Sequence, residues 1–256
     1  NKPNCLYILS SPPKYHYAQA KAVLLSGFDV MVEKPCFIDS SELKDLIQIA
    51  KSKKVLLIEM MMYLQNNIVN IFINNLRFDI NKIKAIKSEF LIPSIPSGTF
   101  RNEKSLSSSL LADIGCYPLN FLSEAGFNLR DVKIESDKSR KKYFLYSKKL
   151  NDQNTSFCCK FGLGEYYSNY TKIIYENNNF IELSPFFYGR KGEREFSINM
   201  NNHIKVRKVL GANCFKKIFL ISKYKWFQTQ NSRFNSMLQV TQTLQKLWKE
   251  VNLPSS

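Results

Sequence analysis

Three short apolar runs fall within the first sixty residues, at 5–9 (CLYIL), 28–32 (FDVMV) and 55–58 (VLLI), and a helix-patterned segment fills each gap. A strand that is apolar along its whole length is buried on both faces, as in a parallel sheet covered by helices. Ser10-Ser11-Pro12-Pro13 closes the first run. The segment from Tyr15 to Ser26 places Ala18, Ala22, Val23 and Leu25 at helical spacing, with Gly27 as its C-cap. Asp39-Ser40-Ser41-Glu42 opens a second helix, whose apolar face is Leu43, Leu46, Ile47 and Ala50. Strand, helix, strand, helix, strand in this order predicts an α/β parallel sheet with right-handed crossovers.

After residue 60 the texture changes. A helical stretch at about 66–76 leads into the alternation Ile83, Ala85, Lys87, Glu89, Leu91, which predicts a half-exposed strand. Short β-rich runs between about 131 and 210 are separated by turns such as Asn177-Asn178-Asn179 and Gly189-Arg190-Lys191-Gly192, predicting an open antiparallel sheet. A closing amphipathic helix is predicted over about 231–251, with Phe234, Leu238, Thr241, Leu244, Leu247 and Val251 on one side. The expected division is 1–62 and 63–256.

Composition excludes several classes. At 44% hydrophobic the chain is too apolar for a disordered tail, and 9 Gly, 9 Pro and 6 Cys exclude collagen-like and disulfide-scaffold chains. The cysteines form no C-x2-C pair, so no metal site is expected; reduced thiols and a cytoplasmic protein are. The longest apolar run, Val55 to Met62, is far short of the ~20 residues a membrane helix needs, so no membrane partner is expected. The net charge of +16 is spread over many segments, which favours a solvated basic surface over a nucleic-acid stripe. An anionic substrate would also benefit from it. The chain opens on Asn1 rather than Met, as in a fragment or processed product.

Two segments carry candidate chemistry. Glu33-Lys34-Pro35 ends the second strand, where open α/β sheets bind ligands. Burial there would lower the Lys34 pKa and make it a usable proton donor or acceptor, with Pro35 restricting its backbone. On the tripeptide alone, an ordinary solvated lysine ending a strand is the plainer reading. In 110–120 (LLADIGCYPLN), Asp113 and Tyr117 are four apart and would share a helix face. Pro118 places them near a helix N-terminus, where an Asp anion is stabilised. A capping Asp beside a packed Tyr is the plainer alternative.

Together these segments resemble the glucose–fructose oxidoreductase, inositol dehydrogenase and rhizopine-catabolism family (Gfo/Idh/MocA). Residues 6–35 (LYILSSPPKYHYAQAKAVLLSGFDVMVEKP) are similar to the family's strand, "TPP…H" turn, helix and "EKP" strand. Residues 55–67 (VLLIEMMMYLQNN) resemble its domain-crossing segment, and 100–120 (FRNEKSLSSSLLADIGCYPLN) its "FR…GGG-LLD-G-Y" block. The resemblance implies a partial Rossmann-type sheet, the carboxyl half of a dinucleotide domain, then an α+β substrate domain that commonly forms homo-oligomers through its sheet. It implies hydride transfer between NAD or NADP and an alcohol or ketone carbon of a sugar-like, possibly nucleotide-linked, substrate. Lys34, Asp113 and Tyr117 are the implied catalytic and substrate-binding groups, and Arg101 a further substrate-binding group. Ser11, Pro12, Pro13, His16, Glu33 and Lys34 are implied along the cofactor. His16, near a helix start, is as readily a capping or packing residue, and Arg101 a surface one.

The chain also departs from the family. G-x-G-x-x-G is absent: the nearest match, Gly162-Leu163-Gly164, has Tyr167 at the third glycine position and a β-like run after it. The fingerprint is expected about 60 residues upstream, two βαβ units at ~30 residues each. Ser107-Ser108-Ser109 stand where glycines are usual, predicting backbone strain, and Tyr63-Leu64-Gln65-Asn66-Asn67 replace a basic residue and a proline. A non-catalytic remnant or binding subunit is therefore the alternative expectation.

Overall fold

A computed structural model describes residues 5–78, 80–93, 95, 101, 104–150 and 154–252. The parts of 1–62, 63–256 and the 100–120 block that fall on other residues lie outside the described residues. A three-stranded parallel sheet, β1 (Leu6–Leu9), β2 (Asp29–Glu33) and β3 (Leu57–Met60), is ordered β1-β2-β3 with Leu9 opposite Val32 and Glu33 opposite Met60. Helices α1 (His16–Leu25) and α2 (Ser40–Lys53) are its crossovers. Asp39 caps α2 by accepting from the Ser41 and Glu42 amides, and Lys54 ends it in the left-handed region at φ 53°.

Two expectations change here. The face of α1 that meets the sheet is His16, Ala20 and Leu24, while Ala18, Ala22 and Leu25 point outward. Alanines and aliphatic residues fall on both sides of this helix, so composition does not single out a face; packing does. The run at 5–9 is also not a strand buried on both faces. Among the described residues it is an outer strand paired with β2, and its Leu6, Tyr7 and Ile8 are exposed.

The second sheet is ordered β11-β10-β9-β8-β4-β7-β6-β5. Its strands are β4 (Ile83–Ile92), β5 (Lys133–Ser136), β6 (Lys142–Ser147), β7 (Ser156–Leu163), β8 (Ser168–Tyr175), β9 (Phe180–Ser184), β10 (Gly192–Met200) and β11 (His203–Gly211). It is mixed rather than purely antiparallel, because β4 pairs parallel with β7 and antiparallel with β8. The simple alternation expected in β4 is interrupted by a bulge between Ile83 and Ala85, which turns Ile86 and Ser88 inward in place of Ala85 and Lys87. A bulge inserts one residue and so exchanges the two faces beyond it. Gly162 ends β7 at φ 126°, where a Cβ would stand 2.2 Å from the Lys141 carbonyl. Backbone fills that space, so Gly162-Leu163-Gly164 is sheet packing and no phosphate loop.

Five further α-helices are found among the described residues: α3 (Asn67–Phe78), α4 (Leu110–Asp113), α5 (Cys116–Glu124), α6 (Cys214–Leu220) and α7 (Lys223–Asn252). The last is longer than expected, because the polar stretch 223–230 also packs inward through Trp226 and Gln230. The α7 helix joins both cores. Phe234 and Met237 pack with Val30, Val32 and Leu57 of the small sheet, while Val240, Leu244 and Leu247 pack against the core of the large one. On the opposite face of the small sheet, Met31, Ile58 and Met60 meet Ile218 and Trp226. Gln230 accepts from the Leu57 amide at 3.3 Å, so α7 also satisfies the free edge of β3. No helix of the described residues is long and apolar enough to cross a membrane.

Candidate active site at the carboxyl end of the second strand

Lys34 follows directly on β2, and its side chain is 15% exposed. Its Nζ donates to Asp113 Oδ1 at 2.8 Å and to the Asp113 carbonyl at 2.6 Å, and it lies 4.8 Å from the centroid of the Tyr117 ring. The Lys34 amide donates to Glu33 Oε2 at 3.0 Å. Asp113 takes a second cation: Arg101 Nε donates to Oδ2 at 2.7 Å and Nη2 to Oδ1 at 3.2 Å. Lys34, Asp113, Tyr117 and Arg101 thus form one cluster.

The charges in this cluster follow from burial and pairing. Burial alone would lower the Lys34 ammonium, as the sequence suggested, but Tyr117 and then Asp113 outweigh it and hold its pKa above the ordinary lysine range. The expectation of a lowered lysine is therefore overturned: its neighbours together stabilise the charged form more than burial penalises it. Burial likewise pushes the Asp113 carboxyl up, yet Lys34 and Arg101 bring it below its usual value. Burial raises the Tyr117 phenol, with Lys34 opposing, so Tyr117 stands as a protonated donor. Glu33 is also raised by burial, against the pull of Lys34.

Asp113 and Tyr117 do not share a helix face. The helix breaks at Ile114-Gly115: Asp113 is the last residue of α4 and Tyr117 lies in the first turn of α5. A Cβ at Gly115 would sit 2.4 Å from the Leu111 carbonyl, so the tight turn between the two helices admits glycine alone. Asp113 owes its charge to Lys34 and Arg101, not to a helix N-terminus.

The serines that replace glycines carry no strain; none of Ser107, Ser108 and Ser109 has positive φ. They serve as caps. Ser109 Oγ accepts from the Ala112 amide at 3.1 Å, starting α4, and Ser108 Oγ accepts from the Ser105 amide at 3.2 Å.

The turn residues are placed differently from one another. Pro13 is buried, Ser11 and Pro12 are half-buried, and the Ser11 hydroxyl donates to Gln19 Oε1 at 2.7 Å. His16 is buried with both ring nitrogens at main-chain carbonyls, Nδ1 at Cys36 (2.9 Å) and Nε2 at Ser11 (2.7 Å). It ties the loops after β1 and β2 together, as a packing residue does.

Several neighbours escaped the sequence reading. Tyr117 donates its hydroxyl to Met62 Sδ at 3.8 Å, and its ring is walled by Tyr63, Phe90 and Phe187 at centroid distances of 5.9, 5.4 and 5.7 Å. Glu59 Oε1 accepts from the Cys36 amide at 3.2 Å beneath the lysine loop. Met62 lies in the 55–67 stretch and was within reach of the sequence; nothing local marks Phe187.

The donor set suits the nicotinamide end of a dinucleotide: the Ser11-Pro12-Pro13 turn, Glu33 and Lys34 lie around the adjacent carboxyl ends of β1 and β2. A glycine cradle for the pyrophosphate is not found among the described residues.

Residues 1–60 match the Gfo/Idh/MocA family, described as an oxidoreductase family with an NAD-binding Rossmann fold. The chain is 33% identical over 109 residues to a dTDP-3,4-didehydro-2,6-dideoxy-alpha-D-glucose 3-reductase of Streptomyces antibioticus, covering 42% of this chain and 33% of that protein. The matched segment thus spans a third of that relative's length. Among solved structures, a 3-ketoreductase from Actinomadura kijaniata in complex with NADP and TDP-benzene superposes with a TM-score of 0.74 at 18% identity, over 91% of this chain and 74% of that one. An aldose-aldose oxidoreductase from Caulobacter crescentus gives 0.77 at 13% identity, over 96% and 77%. Residues 1–60 are thus similar to the NAD-binding Rossmann part of the Gfo/Idh/MocA oxidoreductase family, and the chain shares the fold of these solved structures.

Proposed function

We propose that the chain serves an NAD(P)-dependent oxidoreductase acting on an alcohol or ketone carbon of a sugar-derived, nucleotide-linked substrate. The observation that carries this reading is the meeting of Lys34, Asp113 and Tyr117 at the carboxyl end of β2. The relative acting on a dTDP-linked keto sugar and the neighbour holding TDP-benzene support the substrate class. When bound, the nicotinamide supplies or accepts the hydride.

The chain's own residues handle the proton and the charge. Tyr117, protonated through burial, gives its phenolic proton to the substrate carbonyl oxygen in reduction and takes it back in oxidation. Lys34 stays cationic beside it and stabilises the oxyanion and phenolate character that develops during transfer. Asp113 fixes the ammonium in place, and Arg101 keeps Asp113 ionised from the other side. Arg101 therefore acts through Asp113, whereas Glu33 and the Ser11-Pro12-Pro13 turn, shaped by His16, face the cofactor. On this reading residues 1–62 are half of a dinucleotide domain and 63–256 the substrate domain. Exposed Met200, Ile204, Val206 and Leu210 on β10 and β11 support a homo-oligomer through the large sheet. The six unpaired cysteines fit a reducing, cytoplasmic setting.

The test is turnover of the full native polypeptide with NADH or NADPH and a panel of nucleotide-linked keto sugars. Lys34→Ala and Tyr117→Phe are each expected to reduce kcat at least ~100-fold, the usual size of a general acid's contribution, with the fold unchanged by circular dichroism. Turnover unaffected by both would exclude this site. The absence of any turnover in the full native protein would favour a binding subunit instead.

A further inference from the structure

A cleft of about 820 Å³ opens between α3 and α7, away from the cluster around Lys34. The two sites sit at opposite ends of α5. Tyr117 lies in its first turn, whereas Glu124, its last residue, lines the cleft, ~10 Å further along at 1.5 Å per residue. From α3 the cleft receives Asn67, Asn70, Asn74 and Arg77, whose spacing of three and four places them on one helix face. From α7 it receives Lys225, Thr229 and Arg233, likewise on one face, and α6 adds Lys217.

The charge here is unbalanced. Four cations line the cleft against one carboxylate, Glu124, and Glu124 is already engaged by Arg77: Arg77 Nε donates to the Glu124 carbonyl at 2.8 Å, and Nη2 lies 3.8 Å from its carboxylate. Arg233 is no solvated surface group. Its guanidinium stacks 4.5 Å from the Trp226 ring, and its Nε donates to Thr229 Oγ1 at 3.2 Å. No carboxylate pairs with it among the described residues, and burial pushes its pKa down while Glu124 and Glu59 oppose the shift. A half-buried guanidinium without an acid partner is costly unless an anion joins it. Lys217 is held toward the same space by the Asn67 side-chain oxygen at 3.0 Å.

Guanidinium and ammonium groups interleaved with amide and hydroxyl donors match the many acceptor oxygens of a phosphate chain. We propose that this cleft binds a small ligand bearing a diphosphate group, with Arg233, Lys225 and Lys217 as its principal holders. The proposal stands independently of the hydride-transfer reading, since it uses none of the residues around Lys34.

The test is a titration of the full chain with inorganic pyrophosphate, read by calorimetry and by the emission of Trp226 in a Trp248→Phe background. Trp226 and Trp248 are the two tryptophans, so that background isolates the ring beneath Arg233. The expected result is saturable binding that shifts Trp226 emission and weakens at least tenfold in Arg233→Gln and in Lys225→Glu. Lys225 is exposed, so that variant remains informative if Arg233→Gln fails to fold. The control Lys148→Gln/Lys149→Gln, elsewhere on the surface, should bind as the parent does. No binding at millimolar pyrophosphate overturns the proposal. So does equal weakening in the control, which would mean general surface charge, or equal affinity for a tricarboxylate, which would mean no preference for phosphate.

Discussion

Lys34 Nζ and Asp113 Oδ1 lie 2.8 Å apart although 79 residues separate them in the chain. One ends a strand of the small sheet and the other closes a single helical turn beside the large one. The ion pair therefore forms only when the two halves of the molecule dock. Because Arg101 occupies the other side of the same carboxylate, removing the acid leaves two cations facing each other.

Asp113→Asn is accordingly expected to cost about 3–5 kcal/mol, the range for breaking a largely buried pair from one side. Urea denaturation measures it. The Arg101→Lys variant should cost less and retain partial activity, since it keeps a charge but loses the two-pronged contact. A loss in Asp113→Asn below 1 kcal/mol would mean the cluster is solvated, contrary to the burial described.

The pair also fixes a pH window. The folded Asp113 titrates below its ordinary 3.8, so its contribution is full above that value and lost as pH falls through the lower, folded one. The folded Lys34 titrates above its ordinary 10.5, so its contribution is full below that value and lost as pH rises through the folded one. Between these limits the pair's contribution should be flat. Curves of urea midpoint against pH for wild type and Asp113→Asn should run parallel between these limits and converge only toward acid and strong base.

Glu59 acts with the opposite sign to Asp113. Burial raises its carboxyl above the ordinary 4.5, so the folded state favours the protonated form and stability falls as pH rises through the raised value. Glu59→Gln keeps an oxygen to accept the Cys36 amide and removes the charge. It should raise stability at pH 8 and change it little at pH 4. Thermal melts at the two pH values decide it.

Arg194 is 1% exposed and donates to the carbonyls of Pro185 (2.8 Å), Phe186 (3.3 Å) and Tyr188 (2.6 Å), while Asn169 holds the Phe186 and Phe187 amides at 3.1 and 2.8 Å. Those residues carry the rings packed behind Tyr117. Arg194→Leu takes the donor from the half-buried Pro185 and Tyr188 carbonyls, while the Phe186 carbonyl keeps the Tyr188 amide, and should cost at least ~2 kcal/mol at 1–3 kcal/mol for each of the two groups. Gly211→Ala, whose Cβ would lie 2.5 Å from Arg194 Nε, should cost about 1–3 kcal/mol by overpacking. Guanidinium denaturation of both variants checks the pair of values.

Phe234→Ala tests the dependence of the small sheet on the far end of the chain. Phe234 is 2% exposed among Val30, Val32 and Leu57, and its truncation should cost about 3–5 kcal/mol. Hydrogen exchange should show the loosening in β2 and β3 as well as in α7.

Much of this was legible in the sequence because it depends on local spacing. The apolar runs at 5–9, 28–32 and 55–58, the Asp39 cap and the lysine at a strand's end each follow from residues close in the chain. The sequence by itself therefore determined the parallel unit, the candidate Lys34, Asp113 and Tyr117, and the long apolar stripe of α7. Only the tertiary structure decided which face of α1 is buried, that β4 pairs parallel with β7, that Asp113 and Tyr117 lie on separate helices, and that Lys34 is held charged rather than neutral. Each of these turns on groups brought together from distant positions: Asp113 and Arg101 beside Lys34, Phe187 behind Tyr117, Arg194 under a loop. Strand order, burial and pKa are set by what surrounds a residue in space, and a spacing pattern along the chain carries no record of that.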